Sequence, residues 1–271
     1  MHDAIGIFDS GIGGLTVLRA LKETLPDEKT IYLGDTARVP YGTRSPETVV
    51  RYSVQAAAFM AEKQVKLLVV ACNTASAVAL DAMRSACPGD SFPLIGVIEP
   101  GVREALRLTR TRRVGVIGTE ATIRSQAYTR ALKALDPDIQ VFTKACPLFV
   151  PLAEEGWEET EVAALVAREY LSGFGDLGVD TLIPGCTHYP VIRKVIEGTV
   201  GEGISLVDSA KATAINVREV LKERGLIKPA KASGSEERGD RFYVTDAHER
   251  FVKVGSRFLG RDMAGVITVE L

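Results

Sequence analysis

Apolar positions along the chain fall into two alternating rhythms. Short runs rich in β-branched residues, AIGIF, TIYLG, KLLVVA, PLIGV, RVGVIG, IQVFTK, DTLIPG, SLVD, RFYV and GVITVEL, read as strands. Between them, LTVLRALKETL, PETVVRYSVQAAAFMAEK, IRSQAYTRALKAL, TEVAALVAREYL and ATAINVREVLKERG carry apolar residues at helical spacing. Apolar strands joined by amphipathic helices predict an α/β fold built on mostly parallel sheets. The segment PAKASGSEERGD, Pro229 to Asp240, lacks either rhythm and reads as an exposed connecting loop.

The pattern also repeats in outline. IGIFDSGIGG is echoed by VGVIGTEAT, and LLVVACNTAS by TLIPGCTHYP. Asp9 precedes Cys72 by 63 positions, and Thr119 precedes Cys186 by 67. Two similar α/β halves are therefore expected, each placing one cysteine just after a strand. Ligands of open α/β sheets bind outside the carboxyl ends of the strands, where both cysteines would lie. If the halves face one another, the two thiols face across a cleft.

Composition narrows the class of function. In 271 residues, 46% are hydrophobic and 25% charged, the balance of a globular protein with a substantial core. Lys plus Arg number 33 against 35 for Asp plus Glu, so no strong field favours nucleic acid or an anionic membrane. Small-molecule chemistry is the better expectation. There is no basic segment followed by an apolar core at the N-terminus, and no apolar run of spanning length. A soluble, cytoplasmic protein is expected. The four cysteines, Cys72, Cys87, Cys146 and Cys186, form no C-x-x-C pair and predict no disulfide framework.

A lone cysteine is by default a small buried hydrophobe, which suits Cys87 and Cys146. Cys72 and Cys186 differ because each sits in a strand-to-helix turn, where helix amides lower a thiol's pKa. Pro190 suits the first helical turn after Cys186. Two thiols on opposite faces of a substrate suit inversion at Cα: a thiolate removes the proton and the opposing thiol returns one to the far face. A free thiol, with a pKa of about 8.5, needs help to act as a base near neutrality. Asp9 and His188 are the nearest candidates. An aspartate raises a thiol's pKa, but can orient it or accept its proton.

Other chemistries fit less well. Cys186-x-His188 with Cys72 offers zinc-type ligands, but neither paired spacing nor a fourth ligand is evident, and no metal is expected. Asp9-Ser10-Gly11-Ile12-Gly13-Gly14 is a glycine-rich turn before a helix, whose amides could hold a carboxylate. It is not a dinucleotide fingerprint, because the third glycine would fall at Thr16. Leu33 to Gly42, dense in polar residues after a strand, is expected to line a polar pocket. Glu154 and Glu155 read by default as a solvated loop pair.

Taken together, FDSGIGG, YLGDTARVPYG, ACNTAS and GCTHYP resemble the glutamate racemase branch of the aspartate/glutamate racemase superfamily. The resemblance runs from Ile5 to Phe258. It implies cofactor-independent interconversion of L- and D-glutamate, supplying D-glutamate for peptidoglycan, with a small-molecule substrate and a homodimeric assembly. Carried over position by position, it makes Cys72 and Cys186 the proton donor and acceptor, Asp9 the carboxylate assisting Cys72, and His188 the group assisting Cys186. It implies that Ser10, Tyr41, Gly42, Asn73, Thr74 and Thr187 hold the substrate. Asp35 and Glu154 match acids near the site. Two domains are implied, 1–98 plus 210–271 and 99–209. Pro184, where the family more often has leucine, is a departure that could perturb the strand before Cys186.

Overall fold

The computed structural model describes residues 4–87, 92–228 and 239–271. Ten strands carry the architecture: β1 (Ala4–Asp9), β2 (Lys29–Gly34), β3 (Leu67–Val70), β4 (Leu94–Gly96), β5 (Arg113–Gly118), β6 (Gln140–Ala145), β7 (Thr181–Gly185), β8 (Ser205–Leu206), β9 (Arg241–Val244) and β10 (Val266–Thr268). They form a six-stranded sheet, β10-β9-β2-β1-β3-β4, and a four-stranded sheet, β6-β5-β7-β8. Every strand pair is parallel. Helices cover the sheets, which is why LLVV of β3 and TLIPG of β7 are buried at every position.

The repeat reappears as topology. The order β2-β1-β3-β4 in one sheet is matched by β6-β5-β7-β8 in the other. In each, the chain leaves the first strand toward one side and returns on the other, so the order reverses between β1 and β3, and between β5 and β7. Such switch points leave a crevice at the strand ends. The residues that follow these four strands are Ser10, Ala71–Cys72, Thr119 and Cys186.

One hydrophobic core runs between the halves, joining Ile7 of β1 and Leu18 of the first helix to Phe149, Leu182 and Val217. A second packs Phe8, Val70 and Met60 under the six-stranded sheet. Among the described residues no helix is long and apolar enough to cross a membrane.

Several local expectations change. IRSQAYTRALKAL is two helices, Glu120–Arg124 and Ala127–Leu135, broken at Gln126 in the left-handed region (φ 55°). Ser125 holds the break, donating to the Thr122 carbonyl and accepting from the Ala127 amide. Helices Ile98–Leu108 and Phe149–Glu155 were obscured by Pro100 and Pro151. Each proline sits in the first turn, where its missing N–H has no intrahelical partner. Glu154 and Glu155 accordingly end a helix instead of forming a loop. Residues 229–238 of the expected connecting loop lie outside the described residues.

Pro184 leaves β7 intact. The Leu182 carbonyl accepts from Val207 on the β8 side, and position 184 points the same way. The Val207 amide still reaches the Leu182 carbonyl, but the next bond of the ladder would need an N–H at position 184, so Pro184 ends the pairing with β8 after Leu182 while leaving β7 itself intact.

Candidate active site

A cavity of about 220 Å³ opens between the two halves at the strand ends. This is below the span of about 300–1,000 Å³ usual for drug-sized ligands, and suits a small metabolite. Cys72 and Cys186 both line it, together with Ser10, Tyr41, Gly42, Asn73, Thr74, Glu154, Thr187 and His188. Among the described lining residues there is no lysine or arginine, so hydroxyls, amides and the His188 ring are the groups that can meet a carboxylate here. A larger cavity of about 450 Å³ touches Asn73, Cys186 and Thr187 from another side. Neither Cys72 nor His188 lines it, so the paired chemistry belongs to the smaller cavity.

Cys72 caps helix Asn73–Val78, its Sγ accepting from the Ala75 amide at 3.5 Å. The thiol donates to Ser10 Oγ at 3.5 Å. The sequence context predicts a helix amide that makes this thiol acidic, and the structure shows the opposite. Burial, followed by the Asp9 charge, pushes Cys72 up to about 12, against the smaller pull of the Ala75 amide and Ser10. Cys72 therefore rests as a thiol and needs a proton acceptor to become a base.

Asp9, 1% exposed, is the acid behind it. The carboxylate gripped by the glycine-rich turn is the turn's own: Asp9 Oδ2 accepts from the Gly11 amide at 2.9 Å. Its Oδ1 accepts from Thr187 Oγ1 at 3.4 Å, joining the two cysteine loops. Burial raises the Asp9 carboxyl, while His188, the Gly11 and Gly14 amides and Thr187 hold it down. A carboxyl poised upward in this way can take a proton and release it.

Gly13 permits the approach. A Cβ there would lie 2.2 Å from Thr187 Oγ1 and 2.6 Å from His188 Nδ1. Thr16, at the position that disqualified the dinucleotide fingerprint, donates to the Thr187 carbonyl at 3.0 Å.

Cys186 is followed by turns instead of a helix. The next helix is Arg193–Val200, so Pro190 lies in the connecting turns and no helix amide reaches Cys186. Its partner is His188, whose Nδ1 stands 3.8 Å from Cys186 Sγ and whose Nε2 stands 3.0 Å from Glu154 Oε1. Burial alone would push the imidazole down. Its hydrogen bonds to Cys186 and Glu154, with their charges, outweigh that and raise it to about 10. An imidazolium thus faces the sulfur, able to give it a proton or to balance its charge. The two thiols have unlike supports, one a carboxyl and the other an imidazole.

The remaining candidates divide. Tyr41 and Gly42 stand in the cavity wall, in a 3-10 turn over residues Tyr41–Thr43. Gly42 is close to Thr119: a Cβ would meet Thr119 Cβ at 2.7 Å. Asp35 does not reach the wall. It is fully buried, accepting from Arg38 Nε, Thr245 Oγ1 at 2.9 Å and the Tyr41 hydroxyl. It holds the turn that carries Tyr41. Glu155 is exposed and pairs with Arg250, while Glu154 takes His188.

Several neighbours escaped the sequence reading. Thr74 Oγ1 lies 3.0 Å from Thr119 Oγ1 and 3.2 Å from Thr122 Oγ1, a hydroxyl cluster bridging the halves. Thr119 was marked only by the repeat. Tyr128 donates to Asn73 Oδ1 at 2.6 Å, which frees the Asn73 amide nitrogen for the cavity. Cys146 is buried in the core, its thiol pushed up to about 12 by burial, and Cys87 is partly exposed rather than buried. Among the described residues no group of three or more His, Cys, Asp or Glu side chains is placed to hold a metal.

This pairing of thiols at equivalent strand ends defines a class. Residues 5–216 match the Asp/Glu/hydantoin racemase model, and the chain belongs to that family. Its likeness is strong to particular members. It is 56% identical to a glutamate racemase of Geobacter metallireducens over 268 residues, covering 99% of this chain and 97% of that one. The structure of glutamate racemase from Francisella tularensis in complex with D-glutamate superposes with a TM-score of 0.90 at 39% identity, covering 99% and 98%. A glutamate racemase isoform of Bacillus anthracis gives 0.91 at 37%, covering 100% and 98%.

Proposed function

We propose that this protein interconverts L- and D-glutamate by two-base proton transfer at Cα. A thiolate of one cysteine takes the Cα proton, the electron pair stays on the substrate, and the opposing thiol protonates the other face. The first cysteine ends as thiol and the second as thiolate, so protons balance. Both transfers are supplied by side chains, and the reaction as drawn calls for no cofactor or metal. The observation that carries this reading is the placement of Cys72 and Cys186 at equivalent strand ends around one small cavity.

In this reading Asp9 takes and returns the proton of Cys72, while His188, backed by Glu154, serves Cys186. Ser10, Asn73, Thr74 and Thr187, with Tyr41 and Gly42, hold the carboxylates and ammonium, and Glu154 adds a negative charge beside the ammonium. The domains are 1–98 plus 210–271 and 99–209, closing on substrate between them. D-Glutamate made in the cytoplasm would supply peptidoglycan, and the working form is a homodimer, as the resemblance implies. The high identity to glutamate racemases favours glutamate over aspartate.

Incubating the protein with L-glutamate in deuterated water, without added cofactor, tests this. Decaying optical rotation with deuterium appearing at Cα is expected. Absence of both with glutamate, or their appearance with aspartate alone, overturns the substrate assignment.

A further inference from the structure

Helix His248–Leu259 comes from the segment between β9 and β10, in the six-stranded half. Helix Phe149–Glu155 follows β6, in the four-stranded half. The two helices meet through arginines. Arg250 and Arg257 are seven positions apart and share one helix face. Arg257 Nη2 donates to the Ala153 and Glu154 carbonyls at 2.5 and 2.9 Å, satisfying the open end of helix Phe149–Glu155. Arg250 Nη2 donates to Glu154 Oε2 at 3.0 Å and to Glu155 Oε1 at 2.9 Å.

Glu154 is thereby shared. Its Oε2 takes the guanidinium of one half, and its Oε1 takes His188 Nε2 of the other. A continuous line of polar contacts runs Arg250, Glu154, His188, Cys186. We propose that Arg250 is a positioning residue: acting through Glu154 it aims His188 at Cys186, and it does so only while the two halves are drawn together. The inference rests on the two-thiol reading and deepens it, by tying the readiness of one thiol to closure of the cleft.

Arg250 is half exposed, and an exposed ion pair as such contributes little to stability. Its effect must therefore be sought at His188. The charged and titratable groups around that ring come from every side: Cys186 in its own loop, Asp9 at the end of β1, Glu154 with Glu155 behind it, and Arg250 and Arg257 from the helix whose Phe258 ring packs edge-on at 5.4 Å. Removing Arg250 has two opposing consequences. Loss of a cation would by itself raise His188, whereas release of Glu154 from its anchored position lowers it. Positioning demands that the second prevail.

Two measurements on the full chain test this with Arg250→Ala and Arg250→Lys. In the first, ring resonances of His188, one of three histidines, are followed by NMR against pH. Arg250→Ala should titrate at lower pH than wild type, and Arg250→Lys should restore most of the difference. In the second, kcat/KM for glutamate is followed against pH. Arg250→Ala should lose about five- to tenfold, the scale of one charge-assisted bond, with its alkaline limb moved to lower pH. An unmoved or raised His188 titration overturns the inference. So does a fall in activity with an unchanged limb, the mark of a purely structural role. Inactivity of the wild type would instead strike the racemase reading and leave the NMR outcome to decide this one.

Discussion

The Glu154 carboxylate stands 3.0 Å from His188 Nε2, and through that bond it fixes how the other ring nitrogen faces Cys186. Glu154→Gln keeps the shape but removes the charge. His188, held up at about 10 in the native site, should titrate lower, since burial pulls it down and one of its supports is gone. Activity that needs the imidazolium is present below the His188 pKa and is lost as pH rises through it. The alkaline limb of kcat/KM should therefore move to lower pH in Glu154→Gln and stay in place in Glu155→Gln. An identical limb in both variants would remove Glu154 from the relay.

Cys72→Ala and Cys186→Ala should each abolish racemisation, by at least the 10²–10⁴-fold that a positioned acid or base contributes, roughly. Both residues are buried, but each truncation removes a single sulfur atom and should cost about 1 kcal/mol of stability. Polarimetry together with thermal melting separates the two effects. A Cys87→Ala variant should retain activity, because that thiol follows helix Leu80–Ala86, outside the cavity lining.

Gly13→Ala tests the contact between the two cysteine loops. The added methyl would stand 2.2 Å from Thr187 Oγ1, so the loops must separate. Overpacking of this kind costs about 1–3 kcal/mol. The larger effect should fall on kcat, since Thr187 and His188 both shift. A variant with native kcat would show that the loops have slack that their geometry denies.

Asp35→Ala should act from outside the cavity. It strips the Tyr41 hydroxyl, Arg38 and Thr245 of a shared acceptor, leaving polar groups unpaired at a cost of about 1–3 kcal/mol. The turn carrying Tyr41 and Gly42 loosens, so KM should rise more than kcat falls. Steady-state kinetics with calorimetry reads both.

Asp180 offers a test of acid stability away from the site. Burial would raise this carboxyl, but it accepts from Thr109, the Arg110 and Thr111 amides and Thr181, which bring it down to about 2. Against about 3.9 in an unfolded chain, a depressed value stabilises the fold above the unfolded pKa. That contribution disappears as pH falls through the folded value. Asp180→Ala should thus melt earlier than wild type at neutral pH, and the gap should close between about pH 4 and 2. A gap independent of pH would assign the effect to packing.

The central strands were legible because parallel sheets covered on both faces need unbroken apolar runs, and each of the ten runs is a strand among the described residues, the half-exposed edge strands β6 and β10 included. The repeat was legible because equivalent strands end in equivalent turns. Helices opening with Pro100 or Pro151 were not, since proline reads as a breaker unless the first turn is already located. The acidity of Cys72 was misjudged because turn context is local, whereas desolvation depends on what the rest of the chain stacks above the sulfur. Asp35 looked like a cavity residue from its neighbours in sequence, yet Thr245 arrives from 210 positions away to cover it. Arg250 carried no local signal at all, because its partners exist only where two distant helices meet.

The matched strand orders of the two sheets have a thermodynamic consequence. Mirror-image substrates are equal in free energy, so at equilibrium neither enantiomer is favoured, and kcat/KM must be identical in the two directions. The scaffold repeats one strand order on both sides of the cleft, but the supports of the two sulfurs differ: a carboxyl behind one, an imidazolium beside the other. Microscopic reversibility then obliges any imbalance in turnover between the enantiomers to be offset by an equal imbalance in KM. The lopsided chemistry of the site should be visible only in how each enantiomer saturates the enzyme, never in where the reaction stops.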